Sequence, residues 1–264
     1  MACAPKGYAR PALRGSRGVG LALRHSFDVV DSTQAIAAGL ARDGAPDGSY
    51  VVARAQRAGR GRLDHTWSSP PGGLYLSLVV AEPARALSLA PLAFGLAVAD
   101  VVAVHGVVTS LKWPNDVVVP STGDPPSKLA GILVDRVVSP TLGHALVVGV
   151  GVNVAADPTS FSPTVRAAIM QLSELTPAPP SLAELEETLV PRLRASAEAL
   201  RTRGGELTTV ARCRAALYGR GRAATVDGVP VGVIDELDED GSLWVRRRGR
   251  RENVRAGHLV VTPA

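Results

Sequence analysis

The segment Gln56–Trp67 reads Gln-Arg-Ala-Gly-Arg-Gly-Arg-Leu-Asp-His-Thr-Trp, and it separates two largely apolar runs, Tyr50–Ala53 and Leu74–Val80. Apolar runs of this length predict two buried strands, which makes the segment between them a loop. Glycine lets a backbone approach a ligand closely, and arginine supplies a rigid fork of donors that suits a carboxylate or a phosphate. The loop therefore fits either an anion-binding site or a solvated basic turn, and both readings stay open on this segment alone.

The composition is that of a globular protein. The 264 residues are 46% hydrophobic and 20% charged, which excludes a wholly disordered chain and allows one large domain or two smaller ones. Each apolar stretch is interrupted by glycine, proline or charge, so no membrane partner is expected. The two cysteines, Cys3 and Cys213, form neither a disulfide framework nor a ligand cluster, which favours a reducing cytoplasm. The net charge of +5 is spread along the chain and favours a solvated surface over a nucleic-acid interface.

Lysine is the most informative residue type. The 29 basic residues include only three lysines, Lys6, Lys112 and Lys128, so arginine carries most of the positive charge. A lysine in the interior of this sequence therefore marks a position that needs a compact ammonium group with a movable pKa. Two of the three lysines and two of the three asparagines lie between Lys112 and Asn153, where we expect the chemistry.

The hydrophobic pattern predicts a mixed α and β chain. Residues 1–23 are expected to form a flexible basic tail. The predicted strands of the main body are 24–31, 50–55, 73–80, 109–113, 116–119, 128–138 and 145–153. The predicted helices are 34–41, 88–105, 165–175, 181–203 and 206–217. Short β-like runs at 223–226, 231–237, 243–247 and 253–261, separated by glycine-containing turns, predict a small β-barrel at the end of the chain.

Three short motifs carry the candidate chemistry. Lys112-Trp-Pro-Asn-Asp116 joins a cation, an aromatic ring, an amide and a carboxylate, although Pro-Asn-Asp is also ordinary turn chemistry. Lys128-Leu-Ala-Gly-Ile-Leu-Val-Asp135 and Gly149-Val-Gly-Val-Asn153 place glycines inside apolar strands, where close approach of a ligand explains them better than sheet stability. The sequence contains no P-loop, nucleophile elbow or zinc-protease motif, and Gly219-Arg-Gly-Arg-Ala-Ala224 follows a predicted helix, so it is read as a hinge and not as a dinucleotide loop.

Taken in order, these motifs resemble the biotin–protein ligases, and the likeness covers about Phe27 to Asn153 closely and the C-terminal part loosely. The motifs that carry it are Asp31-Ser-Thr, Gln56…Gly59-Arg-Gly-Arg…Trp67, Leu74-Tyr-Leu-Ser, Lys112-Trp-Pro-Asn-Asp, Lys128-Leu-Ala-Gly-Ile-Leu-Val and Gly149-Val-Gly-Val-Asn. The resemblance implies an α+β fold in which a mixed central sheet is flanked by helices, as in class II aminoacyl-tRNA synthetases. It implies a catalytic domain over 24–217 and an SH3-like β-barrel over 218–264.

The resemblance also implies a reaction. Biotin and Mg-ATP would give biotinyl-5′-AMP and pyrophosphate, and a lysine of a biotin carboxyl carrier protein would then accept the biotinyl group. The implied catalytic residues are Lys128, Arg62 and Asp116, with Asp116 also holding Mg²⁺. The residues implied to contact biotin, ATP or the adenylate are Ser32, Thr33, Gln34, Gln56, Gly59, Arg60, Gly61, Arg62, Trp67, Lys112, Asn115, Lys128, Gly131, Gly149, Gly151 and Asn153. Within this set, Lys128 would lie between the biotin carboxylate and the α-phosphate.

The sequence departs from the family pattern in the loop, where Asp64-His65 stands in place of a second Gly-Arg pair. This change predicts a lid that closes less firmly over the adenylate. About 23 residues precede the first predicted strand, too few for a winged helix-turn-helix, so sequence-specific DNA binding is not expected. A lipoate ligase or octanoyl transferase of the same architecture and a basic nucleic-acid-binding protein are the alternatives. The sequence does not determine the oligomeric state.

Overall fold

The computed structural model of the protein describes residues 21–83, 87–120 and 125–262. The predicted basic tail therefore lies almost entirely outside the described residues. The main body is built on a seven-stranded sheet with the order β1-β2-β3-β7-β6-β5-β4. Its strands are β1 (Arg24–Val30), β2 (Tyr50–Gln56), β3 (Leu74–Ala81), β4 (Ser110–Lys112), β5 (Asp116–Val119), β6 (Ser127–Ser139) and β7 (Gly143–Val152). The β1–β2 pair is parallel and the other pairs are antiparallel, so the predicted mixed sheet is confirmed.

Helices cover both faces of this sheet. They are α1 (Thr33–Arg42), α2 (Ala90–Ala103), α3 (Pro163–Ala168), α4 (Leu182–Ala199) and α5 (Arg203–Ala215). Helix α1 packs its alanines on one face, in a cluster with Val51, Val79 and Val147. Helices α2, α4 and α5 contribute to a larger cluster on the other face. Strand β3 is buried on both faces because helices lie above and below it, as expected for the largely apolar run Leu74–Val80.

The predicted helix over 165–175 is wrong from Ile169 onward. Helix α3 ends at Ala168, and Ile169 has an extended backbone that forms a parallel bridge with Lys128. The amide of Met170 then donates to the carbonyl oxygen of Lys128 at 3.0 Å, and a 3-10 turn follows at Leu172–Glu174. Pairing with β6 competes successfully with helix formation here, and it fixes the backbone of Lys128.

The C-terminal part is a five-stranded antiparallel sheet with the order β11-β10-β9-β8-β12. Its strands are β8 (Ala223–Val226), β9 (Val229–Leu237), β10 (Leu243–Arg247), β11 (Arg250–Val254) and β12 (Leu259–Val261). The single strand predicted over 253–261 is therefore two strands, interrupted near Gly257, whose φ is +127°. In the described ranges no helix has the length and hydropathy needed to cross a membrane.

The two sheets share one hydrophobic core. Ile234 and Leu243 of the C-terminal sheet belong to the same buried cluster as Phe94 of α2. The indole Nε1 of Trp113 donates to the carbonyl oxygen of Gly241 at 3.0 Å, and the Trp113 side chain is almost fully buried. This contact brings the C-terminal sheet against the Lys112–Asp116 segment, next to the strands that carry the candidate chemistry.

Candidate active site

A cavity of about 260 Å³ lies where the N-terminus of α1, the loop after β2 and the strands β3, β6 and β7 meet. Most of the predicted site residues line it, although they come from distant parts of the sequence. They are Ser32, Thr33, Gln34, Gln56, Arg60, Gly61, Arg62, Trp67, Asn115, Asp116, Lys128, Gly131, Gly149 and Gly151. Three predicted residues, Gly59, Lys112 and Asn153, do not line it. Apolar side chains from Leu76, Ile132, Leu133 and Val150 complete its wall.

One end of the cavity is a buried network of neutral polar side chains. The side chain of Ser32 caps α1 by accepting from the amide of Ala35. Gln56 Oε1 accepts from both the amide nitrogen and the hydroxyl of Thr33, at 2.8 and 3.1 Å. Its Nε2 donates to Ser69 Oγ at 2.8 Å. The network holds the start of α1 against the end of β2, and it fixes each polar group before any ligand arrives.

Ser77 on β3 links this network to Gln34. Its hydroxyl oxygen lies 3.0 Å from both Thr33 Oγ1 and Gln34 Oε1, so one hydroxyl proton is shared between two acceptors. Gln34 Nε2 donates to the carbonyl oxygen of Val147 at 2.9 Å and to Asp135 Oδ2 at 3.2 Å. The Gln34 side chain thereby connects α1 to β3, β6 and β7. The sequence motifs contained Ser77 and Asp135, but residue type alone gave neither of them a role.

The other end of the cavity is charged. Lys128 Nζ lies 2.7 Å from Asp116 Oδ1 and 4.9 Å from the centre of the Trp67 ring. Arg62 Nη1 donates to Asn115 Oδ1 at 3.2 Å, and Asn115 Nδ2 donates to the carbonyl oxygen of Ile132 at 2.8 Å. Burial lowers the pKa of Arg62, against the opposing effect of Asp116 and Asp227, although it stays a cation at neutral pH. Two fixed positive charges therefore converge beside a single carboxylate.

Asn153 and Lys112 lie behind this charged end. Asn153 is 5% exposed, and its Nδ2 donates to the carbonyl oxygen of Lys128 at 3.0 Å. Lys112 pairs with Asp116 in the β4–β5 register. Burial lowers the pKa of Lys112, and the Lys128 charge adds to that effect while Asp116 opposes it. Both residues act on the position and electrostatics of Lys128 and Asp116, and their direct contact with a ligand stays a prediction.

The arginine-rich loop folds back on itself. Arg60 and Thr66 form an antiparallel bridge, the Gly61 amide donates to the His65 carbonyl at 2.7 Å, and the Trp67 amide donates to the Gly59 carbonyl at 2.9 Å. Leu63 lies at its tip with φ +51°, a left-handed conformation that is uncommon for leucine. A Cβ atom on Gly59 would come within 2.4 Å of the Trp67 carbonyl oxygen, so glycine is needed there for the turn itself.

The strand glycines accommodate protein side chains. A Cβ atom on Gly151 would meet the Trp67 indole at 2.5 Å, and one on Gly131 would meet the same ring at 2.8 Å. A Cβ atom on Gly149 would come within 2.6 Å of Gln34 Oε1. The sequence predicted close approach of a ligand to these strands. Within the protein, the close neighbours of these glycines are the side chains of Trp67 and Gln34, and the approach of a ligand stays a prediction. The buried Nε1 of Trp67 has no hydrogen-bond acceptor among the described residues.

Two further features were not predicted from the sequence. His258, from the C-terminal sheet, lines the cavity, and no motif marked it. Within the described ranges no group of three or more His, Cys, Asp and Glu side chains could hold a metal ion by itself. The acidic contribution to the described cavity wall is Asp116.

Comparison with known proteins shows which family has this arrangement. The sequence profile of the biotin/lipoate A/B protein ligase family matches residues 26–153, which include every predicted site residue. A biotin–[acetyl-CoA-carboxylase] ligase of Mycobacterium tuberculosis is 34% identical over 248 residues, covering 89% of this chain and 88% of that protein. The bifunctional ligase/repressor BirA of Bacillus subtilis is 33% identical over 151 residues, which cover 56% of this chain and only 45% of that protein.

Solved structures agree at the level of the fold. The biotin protein ligase of Aquifex aeolicus, in complex with biotin and ATP, superposes with a TM-score of 0.77. It is 23% identical in sequence, and the superposition covers 92% of this chain and 99% of that one. The identity and mutual coverage of the mycobacterial ligase, together with the shared fold and the matched motifs, show that this chain belongs to the biotin–protein ligase family.

Proposed function

We propose that this protein is an ATP-dependent ligase that converts biotin into biotinyl-5′-AMP and then transfers the biotinyl group to a lysine of a biotin carboxyl carrier protein, such as that of acetyl-CoA carboxylase. The observation that carries the proposal is the two-ended cavity. A neutral, hydrogen-bonding end of Thr33, Gln56 and Ser77 continues into a charged end of Lys128 and Arg62. The mycobacterial relative of nearly the same length supports the same activity.

The neutral end suits the bicyclic head of biotin. That head is uncharged and needs an apolar wall with a few fixed polar groups. Ile132 and Val150 contribute the apolar wall, and the Thr33–Gln56–Ser77 network contributes oriented donors and acceptors. The Trp67 ring, which lies across Gly131 and Gly151, would separate this end from the charged end.

The charged end suits formation of an acyl-adenylate. An oxygen of the biotin carboxylate attacks the α-phosphorus of ATP, a P–O bond forms, and pyrophosphate leaves with the electron pair of the bond that breaks. The reaction brings two anions together, so the site must supply positive charge where it accumulates on the phosphoryl oxygens. Lys128 supplies a point charge at that position and Arg62 supplies a fork of donors. Asn115 holds the Arg62 guanidinium at 3.2 Å, which limits the movement needed during reaction.

Magnesium fits this site only together with the substrate. Mg²⁺ is commonly bound by one or two carboxylates plus the phosphates of a nucleotide, while water fills the remaining positions. The described cavity offers the carboxylate of Asp116, which matches that mode and does not match a site made by the protein alone. When bound, the ion would neutralise phosphate charge. Asp116 would then exchange its contact with Lys128 Nζ for the metal, and Lys128 would be free to face the α-phosphate.

The proposal extends to the organisation of the chain. Residues 24–217 would form the catalytic domain and residues 218–264 a small domain whose five strands close as an SH3-like barrel. The order β11-β10-β9-β8-β12 supports this reading, because closure then needs only β11 and β12 to approach each other. A reducing cytoplasmic location follows from the cysteine usage and from the substrates, ATP and a carboxylase.

Pyrophosphate exchange tests the proposed activity and separates it from its nearest alternative. Labelled pyrophosphate should enter ATP when biotin is supplied, and lipoate or octanoate should support much less exchange. Exchange with lipoate or octanoate but not with biotin would instead identify the protein as a lipoate or octanoate ligase. A complete lack of exchange with all three acids would contradict an acid-activating ligase altogether.

A further inference from the structure

His258 is the residue by which the C-terminal sheet reaches the cavity. It lies in the connection between β11 and β12, lines the cavity together with Lys128 and Asp116, and is exposed to solvent. Among the described residues its imidazole has no hydrogen-bond partner, whereas its backbone is tightly bound. Because its backbone is fixed and its imidazole is not engaged by the described residues, the His258 side chain is suited to contact a substrate that enters the cavity.

The backbone of His258 is held by a reciprocal clamp. The His258 amide donates to Asp227 Oδ1 at 2.8 Å, and the Asp227 amide donates to the His258 carbonyl oxygen at 3.0 Å. Asp227 itself has φ +51°, and Gly257 has φ +127°. A Cβ atom on Gly257 would lie 2.3 Å from Val226 Cγ1 and 2.7 Å from Asp227 Oδ2. The Asp227-Gly228 hairpin turn between β8 and β9 and the glycine at 257 therefore fix the backbone from which the His258 side chain projects.

The electrostatic surroundings favour the neutral imidazole. Partial burial against the cavity wall lowers the pKa of His258 and the Lys112 and His65 charges add to that effect, while Asp116 and Asp227 oppose it. A neutral imidazole keeps one nitrogen free to accept a proton. The other candidate acceptor at this end of the cavity, the carboxylate of Asp116, is already engaged by Lys128 at 2.7 Å.

We propose, on the basis of the function proposed above, that His258 is the proton acceptor for the attacking amine in the transfer step. The acceptor lysine enters at the cavity mouth, where His258 is exposed. Its amine nitrogen attacks the acyl carbon, a C–N bond forms, and the bond from the acyl carbon to the AMP oxygen breaks, so that AMP leaves with that electron pair. The proton lost by the amine passes to the His258 imidazole. No further reactant is needed.

The two half-reactions separate this role from a general effect on the site. Adenylation has no amine to deprotonate, so His258→Ala and His258→Gln should keep biotin-dependent pyrophosphate exchange within about twofold of the unmodified protein. Single-turnover transfer from preformed biotinyl-5′-AMP to a carrier domain should slow by about 100-fold, the low end of what general base catalysis contributes. Free imidazole should partly restore transfer by His258→Ala, in which a space is opened, and should not restore it in His258→Gln.

Two more variants control for folding and position. His144→Ala removes an exposed histidine at the start of β7, whereas the cavity lies near the end of that strand, so it should leave both half-reactions unchanged. Asp227→Gly suits the positive φ at that position but removes the side-chain clamp, so it should slow transfer while the melting temperature stays near that of the unmodified protein.

Transfer at the normal rate in His258→Ala would overturn the inference. So would a parallel loss of exchange and transfer, because a defect shared by both steps is not the loss of an amine-specific base. A lack of exchange in the unmodified protein has a different meaning: it would overturn the proposed function itself.

Discussion

Lys128 illustrates what a single residue needs around it before its chemistry can be used. Its ammonium group lies between Asp116 and the face of Trp67, and its carbonyl oxygen accepts from both Asn153 and Met170. The scarcity of lysine marked this position in the sequence. The residues that hold it could not be found in that way, because Met170 belongs to a segment whose pattern predicted a helix.

Replacing Lys128 with arginine should abolish most adenylation although the charge is kept. The guanidinium is larger and planar, and it cannot reproduce a point charge between a carboxylate and a phosphate. Loss of one preorganised electrostatic donor typically costs 10²–10³ in rate, so we expect exchange to fall by about 100-fold. The control is Lys6→Arg, which makes the same substitution at a lysine that lies outside the described residues. Near-normal exchange by Lys128→Arg would show that charge alone suffices at this position.

The Cys213 thiol should be unreactive in the folded protein, which would exclude acyl transfer through a thioester on this residue. It is 1% exposed, and burial raises the pKa of its thiol to about 12. Since the thiolate is the reactive form, a Cys3→Ser variant that retains only Cys213 should not react with a thiol-specific disulfide reagent at pH 8 until it is unfolded. Rapid labelling of the folded variant, followed by loss of transfer, would instead favour a thioester intermediate on this residue.

Strands β6 and β7 and the loop after β2 act as one unit at the scale of elements. Gly131 and Gly151 lie opposite each other in the β6–β7 register, and the Trp67 ring rests on both. The sequence pattern correctly indicated that something approaches these strands closely. It could not say that this would be a side chain from a loop more than sixty residues away, because the approach depends on the β3–β7–β6 order of the sheet.

Gly151→Ala tests the contact between this strand and the loop. The new methyl group would lie 2.5 Å from the Trp67 indole, so the ring must move, and the affinity for the adenylate should fall by about tenfold or more. Isothermal titration with a non-hydrolysable biotinyl-5′-AMP analogue measures this. Gly39→Ala on α1 is the matched control, because nothing lies within 4 Å of its new Cβ atom. It should leave binding unchanged and raise stability by about 0.5–1 kcal/mol. Equal affinity in both variants would contradict a binding role for the Trp67 position.

The whole molecule depends on the docking of the C-terminal sheet, because His258 reaches the cavity only when that sheet is in place. Trp113 provides one visible connection, with its indole nitrogen bound to Gly241 of the turn before β10. The motif Lys112–Asp116 drew attention for its possible chemistry. Trp113 itself has a structural role that the motif did not indicate, since its side chain is 2% exposed and belongs to the core cluster that both sheets share. The alternation in the C-terminal sequence predicted the strands, but it held no information on which surface they would cover.

Trp113→Phe should destabilise the protein by about 1–3 kcal/mol, since it leaves the Gly241 carbonyl oxygen without its donor in a buried position. Urea unfolding followed by circular dichroism measures the free energy of unfolding. Trp244→Phe is the comparison, because Trp244 is only partly buried and stacks with Arg251 at 4.8 Å. An exposed cation–π contact contributes about 0.5–1 kcal/mol, and phenylalanine keeps part of it. If the two variants lost equal stability, the Trp113 contact would not be what holds the sheets together.

The central claim is that this one cavity performs both activation of biotin and its transfer to a protein lysine. Intact-mass measurement of a biotin carboxyl carrier domain, incubated with the protein, biotin and Mg-ATP, tests it most directly. The account predicts a gain of one biotinyl group, lost when the acceptor lysine is changed to arginine and strongly reduced with the Lys128→Arg enzyme. No gain of mass, or a gain that is unchanged in the Lys128→Arg enzyme, would contradict it.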